Sequence, residues 1–380
     1  MIRIGIVAGE ASGDRLAAGL IAALRARCGA IEVEGVAGPA MIAEGCRALY
    51  PSERLAVMGI PEVVRRYAEL SRMRRALIGH FTAHPPACFI GVDAPEFNLR
   101  LLKRLRARGI RTVQYVSPQV WAWREGRIRL IARAVDLMLV LFPFEEVYYR
   151  DHRVPVRYVG HPLADEPAVA LDRASLREAL GLSRDGPLLT LLPGSRSNEW
   201  RYHVTPFLET ASWLHDRHQG LRFAVAAVSG EARTVFEQAS SRLAPGLPAT
   251  IILGRAREVI AAADAVLTVS GTAALECLLA QRPMVVTYRM AALSYLVARL
   301  LVRVPYFSLP NLLAGRRLVP EFLQGEVRAE RLGPELSRLL GGGEEVARLE
   351  RELAAIQQSL CRDASRTAAD AVLGLLGQIP

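Results

Sequence analysis

Two short segments hold the residue types that grip a diphosphate. Pro193-Gly-Ser-Arg196 follows the apolar run Leu188 to Leu192, and Ser270-Gly-Thr-Ala-Ala-Leu-Glu276 follows Ala265 to Val269. Small residues at the carboxyl end of a buried strand open a turn whose backbone N–H groups can face phosphate. Arg196 adds a planar charged fork for a pyrophosphate, and Glu276, one helical turn into the second element, offers a carboxylate to ribose hydroxyls. Gly194, Ser195, Arg196, Ser270, Gly271, Thr272 and Glu276 together read as the nucleotide-diphosphate pocket of a sugar-nucleotide user.

A second group lies in the first half of the chain. Gly91-Val-Asp93-Ala-Pro95-Glu-Phe-Asn98 ends the strand pattern Cys88 to Val92. A carboxylate at such a tip lies where open α/β sheets bind ligands, so Asp93 is placed to take a proton from a substrate hydroxyl. Asp followed by Ala-Pro is also a good helix start, and spacing leaves both readings open. The loop Gly9-Glu10-Ala-Ser12-Gly13-Asp14 falls on the same edge; it lacks the G-x-G-x-x-G spacing of a nicotinamide dinucleotide site and suits a second ligand better. Tyr115-Val-Ser117-Pro118-Gln-Val-Trp121-Ala-Trp123-Arg124 puts two indoles and an arginine after another strand, where sugar stacking and plain packing both remain open. The segment Ser308 to Gln324, with Asn311, Glu321 and Gln324, combines polar side chains with a turn bounded by Pro and Gly.

The elements that must position these residues follow from periodicity. Apolar runs of strand length alternate with amphipathic helical segments, which predicts parallel sheets built from βα units. Strands are expected at Ile2 to Ala8, Ile31 to Val36, Cys88 to Val92, Thr112 to Val116, Leu137 to Leu141 and Val156 to Val159. A second set is expected at Leu188 to Leu192, Arg222 to Ala227, Thr250 to Ile252, Ala265 to Thr268 and Met284 to Thr287. Each half thus reads as one doubly wound domain, with the linker at Asp165 to Arg173 just beyond Gly160-His161-Pro162 and a cleft between the halves. The expected domains are 1–168, 169–355 and a C-terminal helix, 356–380, whose end crosses back onto the first; one long helix is expected from Glu344 to Leu376.

Composition narrows the function classes. The chain has 380 residues, 51% of them apolar, enough for two cores. A net charge of +10, with 48 Lys plus Arg that are mostly Arg, fits phosphate-bearing partners: nucleotides, an anionic membrane face or nucleic acid. No nucleic-acid motif accompanies the charge. Five scattered cysteines form no C-x-x-C pair, and seven histidines show no ligand spacing, so neither a disulfide framework nor a metal site is indicated and a reducing cytosol is expected. His161 reads as a linker residue, Cys277 as a small helix residue. The N-terminus runs straight into a strand, and no apolar stretch reaches the roughly 20 residues of a spanning helix. Two surfaces suit peripheral membrane contact: the segment Pro61 to Phe81, with Val63, Val64, Tyr67, Leu70, Met73, Leu77, Ile78 and Phe81 on one face opposite Arg65, Arg72 and Arg75, and the segment Ala291 to Pro305, which carries Arg299 and Arg303. For the first, ordinary packing on the sheet is the commoner role; for the second, a buried helix and a membrane-facing patch are both open.

These residues resemble the lipid A disaccharide synthase family of Gram-negative bacteria nearly end to end. The motifs that carry the resemblance, in the family's order, are Gly9 to Asp14, Gly91 to Asn98, Tyr115 to Arg124, Leu192 to Arg196, Ser270 to Glu276 and Leu309 to Gly315. The resemblance implies two Rossmann-like domains facing across a cleft, a GT-B-type glycosyltransferase, with UDP held mainly by the second. It implies an inverting transfer from UDP-2,3-diacylglucosamine to 2,3-diacylglucosamine 1-phosphate, giving a β-1,6-linked disaccharide phosphate and UDP. Asp93 is then the base, and Ser12, Gly13, Asp14, Asn98, Ser117 and Trp121 fall to the acceptor. Asn311, Glu321 and Gln324 join the nucleotide side through the family's general use of that region. No D-x-D pair occurs, so no metal and no cofactor are expected, and arginine and helix dipoles take the diphosphate charge. Location on the inner face of the cytoplasmic membrane follows from lipid substrates, with a homodimer left open. Ala17, where the family usually has glycine, and Trp200, where an aliphatic residue is commoner, depart from the pattern. Two rivals are a sugar-nucleotide-binding module without turnover, which needs no cleft carboxylate, and a UDP-sugar epimerase, which needs no lipid surface.

Overall fold

The computed structural model describes residues 2–55, 60–122, 125–167, 169, 172–302 and 304–378; the side chains of 60–66, 125, 197 and 293 also lie outside the description. Trp123, Arg124 and Arg303, together with the side chains of Val63, Val64 and Arg65, are therefore outside the described residues. The chain forms two compact units, one made of Met1–Asp165 with Leu360–Pro380, the other of Glu166–Ser359.

The first unit is a seven-stranded parallel sheet. Its strands are β1 (Ile2–Ala8), β2 (Ile31–Ala37), β3 (Arg47–Pro51), β4 (Cys88–Val92), β5 (Arg111–Tyr115), β6 (Leu137–Val140) and β7 (Val156–Tyr158), in the order β3-β2-β1-β4-β5-β6-β7. The second unit repeats this plan with β8 (Leu188–Leu192), β9 (Arg222–Ala227), β10 (Ala249–Leu253), β11 (Ala265–Val269), β12 (Met284–Tyr288) and β13 (Glu321–Leu323), in the order β10-β9-β8-β11-β12-β13. Every pairing is parallel, so helices must cover both faces, and β4, β8 and β11 are buried at every residue. That double burial is why the central strands read as continuous apolar runs. In both sheets the order reverses once, between β1 and β4 and between β8 and β11. Connections leave to opposite faces there, which uncovers the carboxyl ends of those strands for a ligand.

The strands expected from sequence are present, with ends shifted by a residue or so. Two edge strands, β3 and β13, were not anticipated. β3 is largely exposed, begins with Arg47 and meets β2 across a register shift; β13 has three residues. Edge strands have one neighbour and little buried area, so neither shows an apolar run. The C-terminal segment corrects the single-helix expectation: it forms two helices, Glu344–Leu360 and Ala364–Leu375. Asp165 accepts the N–H groups of Arg362, Asp363 and Ala364 at 2.6–2.9 Å, and Asp363 takes a left-handed φ of 52° at the break. The last helix packs its Ala368, Ala369, Val372 and Leu373 into the core with Ala17, Leu20, Ile21 and Leu24 of helix Ala11–Cys28. Ala17, fully buried in that core, fills space a glycine would leave open.

In the second unit one buried cation ties the sheet to its helices. Arg177, 4% exposed, donates to Asp264 at 2.8 Å and to the carbonyls of Ala262 and Gly186, while the same Asp264 oxygen accepts the N–H of Leu188 at the start of β8. Removing one partner of a buried pair strands the other. Arg177→Ala is expected to destabilise the second unit by about 3–5 kcal/mol, read as a lower urea midpoint; an unchanged midpoint would contradict this bracing role.

Candidate active site

In the first unit the site is built around the end of β4. Asp93 and Ala94 have φ of 51° and 39°, and Val116, one residue past β5, has φ of 76°. Left-handed backbone at three non-glycine residues costs on the order of 1–3 kcal/mol each and persists only where the surroundings over-determine it. Two buried amides do so here. Asn98 donates to the carbonyls of Val92 (3.3 Å) and Asp93 (2.8 Å); Gln114 donates to those of Asp93 (3.0 Å) and Val116 (3.3 Å). The N–H of Asp93 donates to Tyr115 across the sheet at 2.8 Å. Gly91 lets both amides converge, since a Cβ there would lie 2.9 Å from Asn98 and from Gln114 Oε1. Asn98, expected at the acceptor, thus shapes the tip that carries Asp93. Gln114 was missed, because a polar residue inside a strand carries no local signal of what it holds.

The carboxylate so presented is half-buried, and burial pushes its pKa up; the charge of Glu10 pushes the same way, against a hydrogen bond from the Ala94 N–H. A base gains from a pKa drawn towards working pH. Gly13 faces it across the switch point, where a Cβ would stand 3.7 Å from that of Asp93, and Ser12 is exposed beside it. Asp14 turns inward: buried, it accepts the N–H groups of Gly38, Ala40 and Met41 at 2.8–3.2 Å and so starts the helix Pro39–Ala43.

Beyond β5, Ser117 bonds Tyr149 Oη at 2.8 Å and Trp121 donates its indole N–H to Glu145 at 3.1 Å. Glu145 and Tyr149, both on helix Pro143–Asp151, were missed. Burial pushes Glu145 up to about 7, opposed by hydrogen bonds from Trp121, the N–H groups of Phe142 and Leu141, and Ser117. A legible signal existed: Pro143 at the first helical position with glutamate two residues later marks a helix start. His161 is held neutral, its pKa pushed down to about 4 by burial, and its Nδ1 accepts the Leu163 N–H.

In the second unit both phosphate-type loops stand at the switch point, after β8 and β11. One expectation is corrected: the N–H groups of Ser195 and Arg196 are already engaged by Glu199 Oε2, at 2.7 and 3.2 Å, and Arg196 itself pairs with Glu199 at 3.1 Å while its side chain is 71% exposed. Gly194, φ 126°, leaves the room Glu199 fills, since a Cβ would sit 2.6 Å from its carboxylate. Trp200 donates to the Gly194 carbonyl at 2.9 Å, which an aliphatic residue cannot do. After β11, Ser270 donates to the Phe307 carbonyl, and Gly271 and Thr272 are exposed at the start of helix Thr272–Leu279, where the Ala274 N–H bonds the Gly271 carbonyl at 3.2 Å. Glu276 is half-buried one turn in.

The segment beyond β12 forms a brace. Glu321 accepts the N–H groups of Phe307 and Ser308, and Gln324, φ 52°, bonds both the N–H and the C=O of Met290. Asn311 is fully buried, with its amide engaged by Leu318 and Val319. These three position backbone around the β12 tip. His203, also missed, links the two sides: its Nε2 accepts the Arg289 N–H, which a neutral ring alone can do, its Nδ1 donates to the Glu199 carbonyl, and burial lowers its pKa. Among the described residues no group of three His, Cys, Asp or Glu could hold a metal ion.

Two Rossmann-like units, each with loop and carboxylate chemistry at its switch point, define the GT-B class of fold. Solved structures agree on that fold. The glycotransferase of kitacinnamycin aligns with a TM-score of 0.62 at 15% identity, covering 100% of this chain and 99% of that one. UDP-GlcNAc 2-epimerase from Neisseria meningitidis aligns at 0.64 and 11%, covering 98% and 100%. Sequence is more specific. The profile of the lipid-A-disaccharide synthetase family matches residues 4–373. Lipid-A-disaccharide synthases of Azotobacter vinelandii and Pseudomonas fluorescens are 51% and 49% identical over 377 residues, covering 99% of this chain and 98% and 99% of theirs. The chain belongs to the lipid-A-disaccharide synthetase family.

If Glu10 raises the pKa of Asp93, Glu10→Gln removes a like charge and lowers it. The acid limb of kcat/KM is then expected to move to lower pH, because the base ionises earlier. An unmoved limb in a variant of wild-type stability would count against the coupling.

Proposed function

We propose that this chain is an inverting glycosyltransferase that joins UDP-2,3-diacylglucosamine to 2,3-diacylglucosamine 1-phosphate, forming a β-1,6-linked disaccharide 1-phosphate and UDP. The observation that carries the mechanism is Asp93: a half-buried carboxylate of raised pKa, fixed in strained backbone at the switch point of the first unit. In one in-line step it takes the proton of the acceptor 6-hydroxyl as that oxygen bonds the donor C1 and the C1–O bond to the diphosphate breaks. Arg196, exposed and, among the described residues, paired only with Glu199, exchanges that carboxylate for the diphosphate and neutralises the leaving group together with the N-terminus of helix Thr272–Leu279. Glu276 serves the ribose. Ser12, Gly13, Ser117 and Trp121 line the acceptor side, while Asp14 and Asn98 hold its loops. A module that only binds its ligand has no use for a strained, part-desolvated carboxylate. The likeness to epimerases is one of fold.

UDP release assayed in detergent with a chelator tests this directly. Wild type is expected to release UDP only when acceptor is present, at an undiminished rate with chelator, because no D-x-D pair is there to anchor a metal. Asp93→Ala should lose at least about a hundredfold in turnover, the usual worth of a general base, while still binding UDP. Acceptor-independent release, or an active Asp93→Ala, would sink the reading.

Lipid substrates place the protein at a membrane surface, and we assign it peripherally to the inner face of the cytoplasmic membrane. No helix among the described residues is long and apolar enough to cross a membrane. Of the two surfaces read from sequence, the first is packed towards its carboxyl end among the described side chains: Met73, Leu77 and Phe81 are buried, Phe81 edge-on to Phe89 at 4.9 Å, while Tyr67 is 54% exposed. The second is open. Leu296, Val297, Leu300, Leu301 and Val302 are 41–75% exposed in and just after helix Ala292–Leu301, with Arg299 beside them. Concentration of exposed apolar side chains on one basic helix supports contact with anionic lipid. Leu296→Ser with Leu300→Ser should weaken co-sedimentation with anionic vesicles by about tenfold or more, from the roughly 1.5–3 kcal/mol that burying a leucine contributes. Unchanged binding would move the contact elsewhere.

A further inference from the structure

Four rings run along the carboxyl edge of the first sheet. Trp121 meets Phe144 edge to face at 4.8 Å, Phe144 stacks on Phe142 at 5.7 Å with planes 4° apart, and Phe142 stacks on His161 at 5.5 Å with planes 30° apart. They follow the ends of β5, β6 and β7 in turn, and all four are half-buried. The row therefore keeps ring surface towards solvent while locked ring to ring.

What locks it is unusual for a surface row. Glu145, 4% exposed, lies behind the rings. One oxygen accepts the Trp121 indole N–H at 3.1 Å; the other accepts the N–H groups of Leu141 and Phe142 at 3.2 and 3.1 Å. Ser117 reaches the same carboxylate and bonds Tyr149. Burying a carboxylate is expensive unless donors surround it. Here the donors come from the β5 loop and the β6 end, so the carboxylate fixes the Trp121 loop relative to the helix that carries Phe144. Rings that only had to pack would be covered and would need no such anchor. Neighbouring strands lie about 4.8 Å apart, so the β6 tip is about 10 Å from the β4 tip that carries Asp93. The β5 loop that carries Trp121 is one such spacing from Asp93, within reach of a monosaccharide whose hydroxyl lies there, and the acyl substituents of that sugar extend towards the rings beyond β6.

We propose that Trp121, Phe144, Phe142 and His161 form a shelf for the non-polar surface of the acceptor, either the C–H face of its sugar or the stems of its acyl chains, and that Glu145 is the positioning residue that sets the shelf. This rests on the transferase reading, with the acceptor on the first unit. A neutral His161 suits such a surface.

Steady-state kinetics on the full-length protein test it through Glu145→Gln, Trp121→Phe, their double variant and Phe144→Leu. Glu145→Gln leaves one acceptor oxygen where two are used, so either the indole or the Leu141 and Phe142 N–H groups lose their partner, and Trp121→Phe removes the indole donor; each is expected to raise acceptor KM about tenfold while donor KM holds. If Glu145 acts through Trp121, the double variant is no worse than the more damaged single one. Phe144→Leu leaves the carboxylate intact and should raise acceptor KM as well, which keeps the test open if Glu145→Gln fails to fold. Inhibition by unacylated glucosamine 1-phosphate separates the two ligand sources: Phe144→Leu weakens it if the shelf takes the sugar face and spares it if the shelf takes acyl stems. Unchanged acceptor KM, parallel losses for donor and acceptor, or additive effects in the double variant overturn the shelf while leaving the transferase standing. Wild type without acceptor-dependent UDP release removes both.

Discussion

A single topological constraint organises both halves of this protein: each parallel sheet reverses its strand order once. Along most of a parallel sheet, successive crossovers cover the strand ends with connecting chain. Where the order reverses, crossovers depart to opposite faces and two adjacent carboxyl ends stay open. Glu10 to Asp14 and Asp93 sit at that point in the first sheet, and Pro193 to Arg196 and Ser270 to Glu276 sit at it in the second. Candidate groups more than 70 residues apart are neighbours for this reason alone.

An open strand end is also a weak point, because its last peptide groups have no sheet partner. The two units solve this alike, with side chains that bond backbone. Asn98 and Gln114 hold the β4 and β5 tips; Glu199 and Trp200 hold the loop after β8; Glu321, Gln324 and Asn311 hold the turns around β12 and β13. Most of these are polar residues that a sequence reader assigns to a ligand, and their hydrogen bonds show them shaping the protein's own backbone. Groups that the proposed reaction leaves to meet substrate are fewer: Asp93, Arg196, Glu276, the small residues beside them and the rings beyond β5. Strain at Asp93 and Ala94 is affordable because the braces behind it are buried and the strand beneath is covered on both faces.

Much of this was legible from sequence, for a local reason. Central parallel strands are buried on both faces and show as apolar runs, and the small residues that follow them mark the loops, so fold class, strand positions and the candidate loops could be read from residues a few positions apart. Edge strands β3 and β13, with little buried area, left no such trace. Neither did the break between Leu360 and Ala364, which depends on Asp165, about 200 residues upstream, accepting three backbone N–H groups.

What the sequence determined by itself, then, is which segments become strand, loop and helix, and through six motifs in order, which family the chain belongs to; those properties are written in short windows of hydrophobic pattern and residue type. What only the tertiary structure decided is the duty of each polar side chain. Asp14 and Asn98 resemble Asp93 in type and setting, yet their partners on neighbouring strands and helices draw them into backbone bracing, while Asp93 is left presented and its pKa raised by burial and Glu10. Glu145 and His203 acquire their roles the same way, from donors and acceptors on other elements. A hydrogen bond between distant segments exists only once the chain has folded, so no window of sequence contains it.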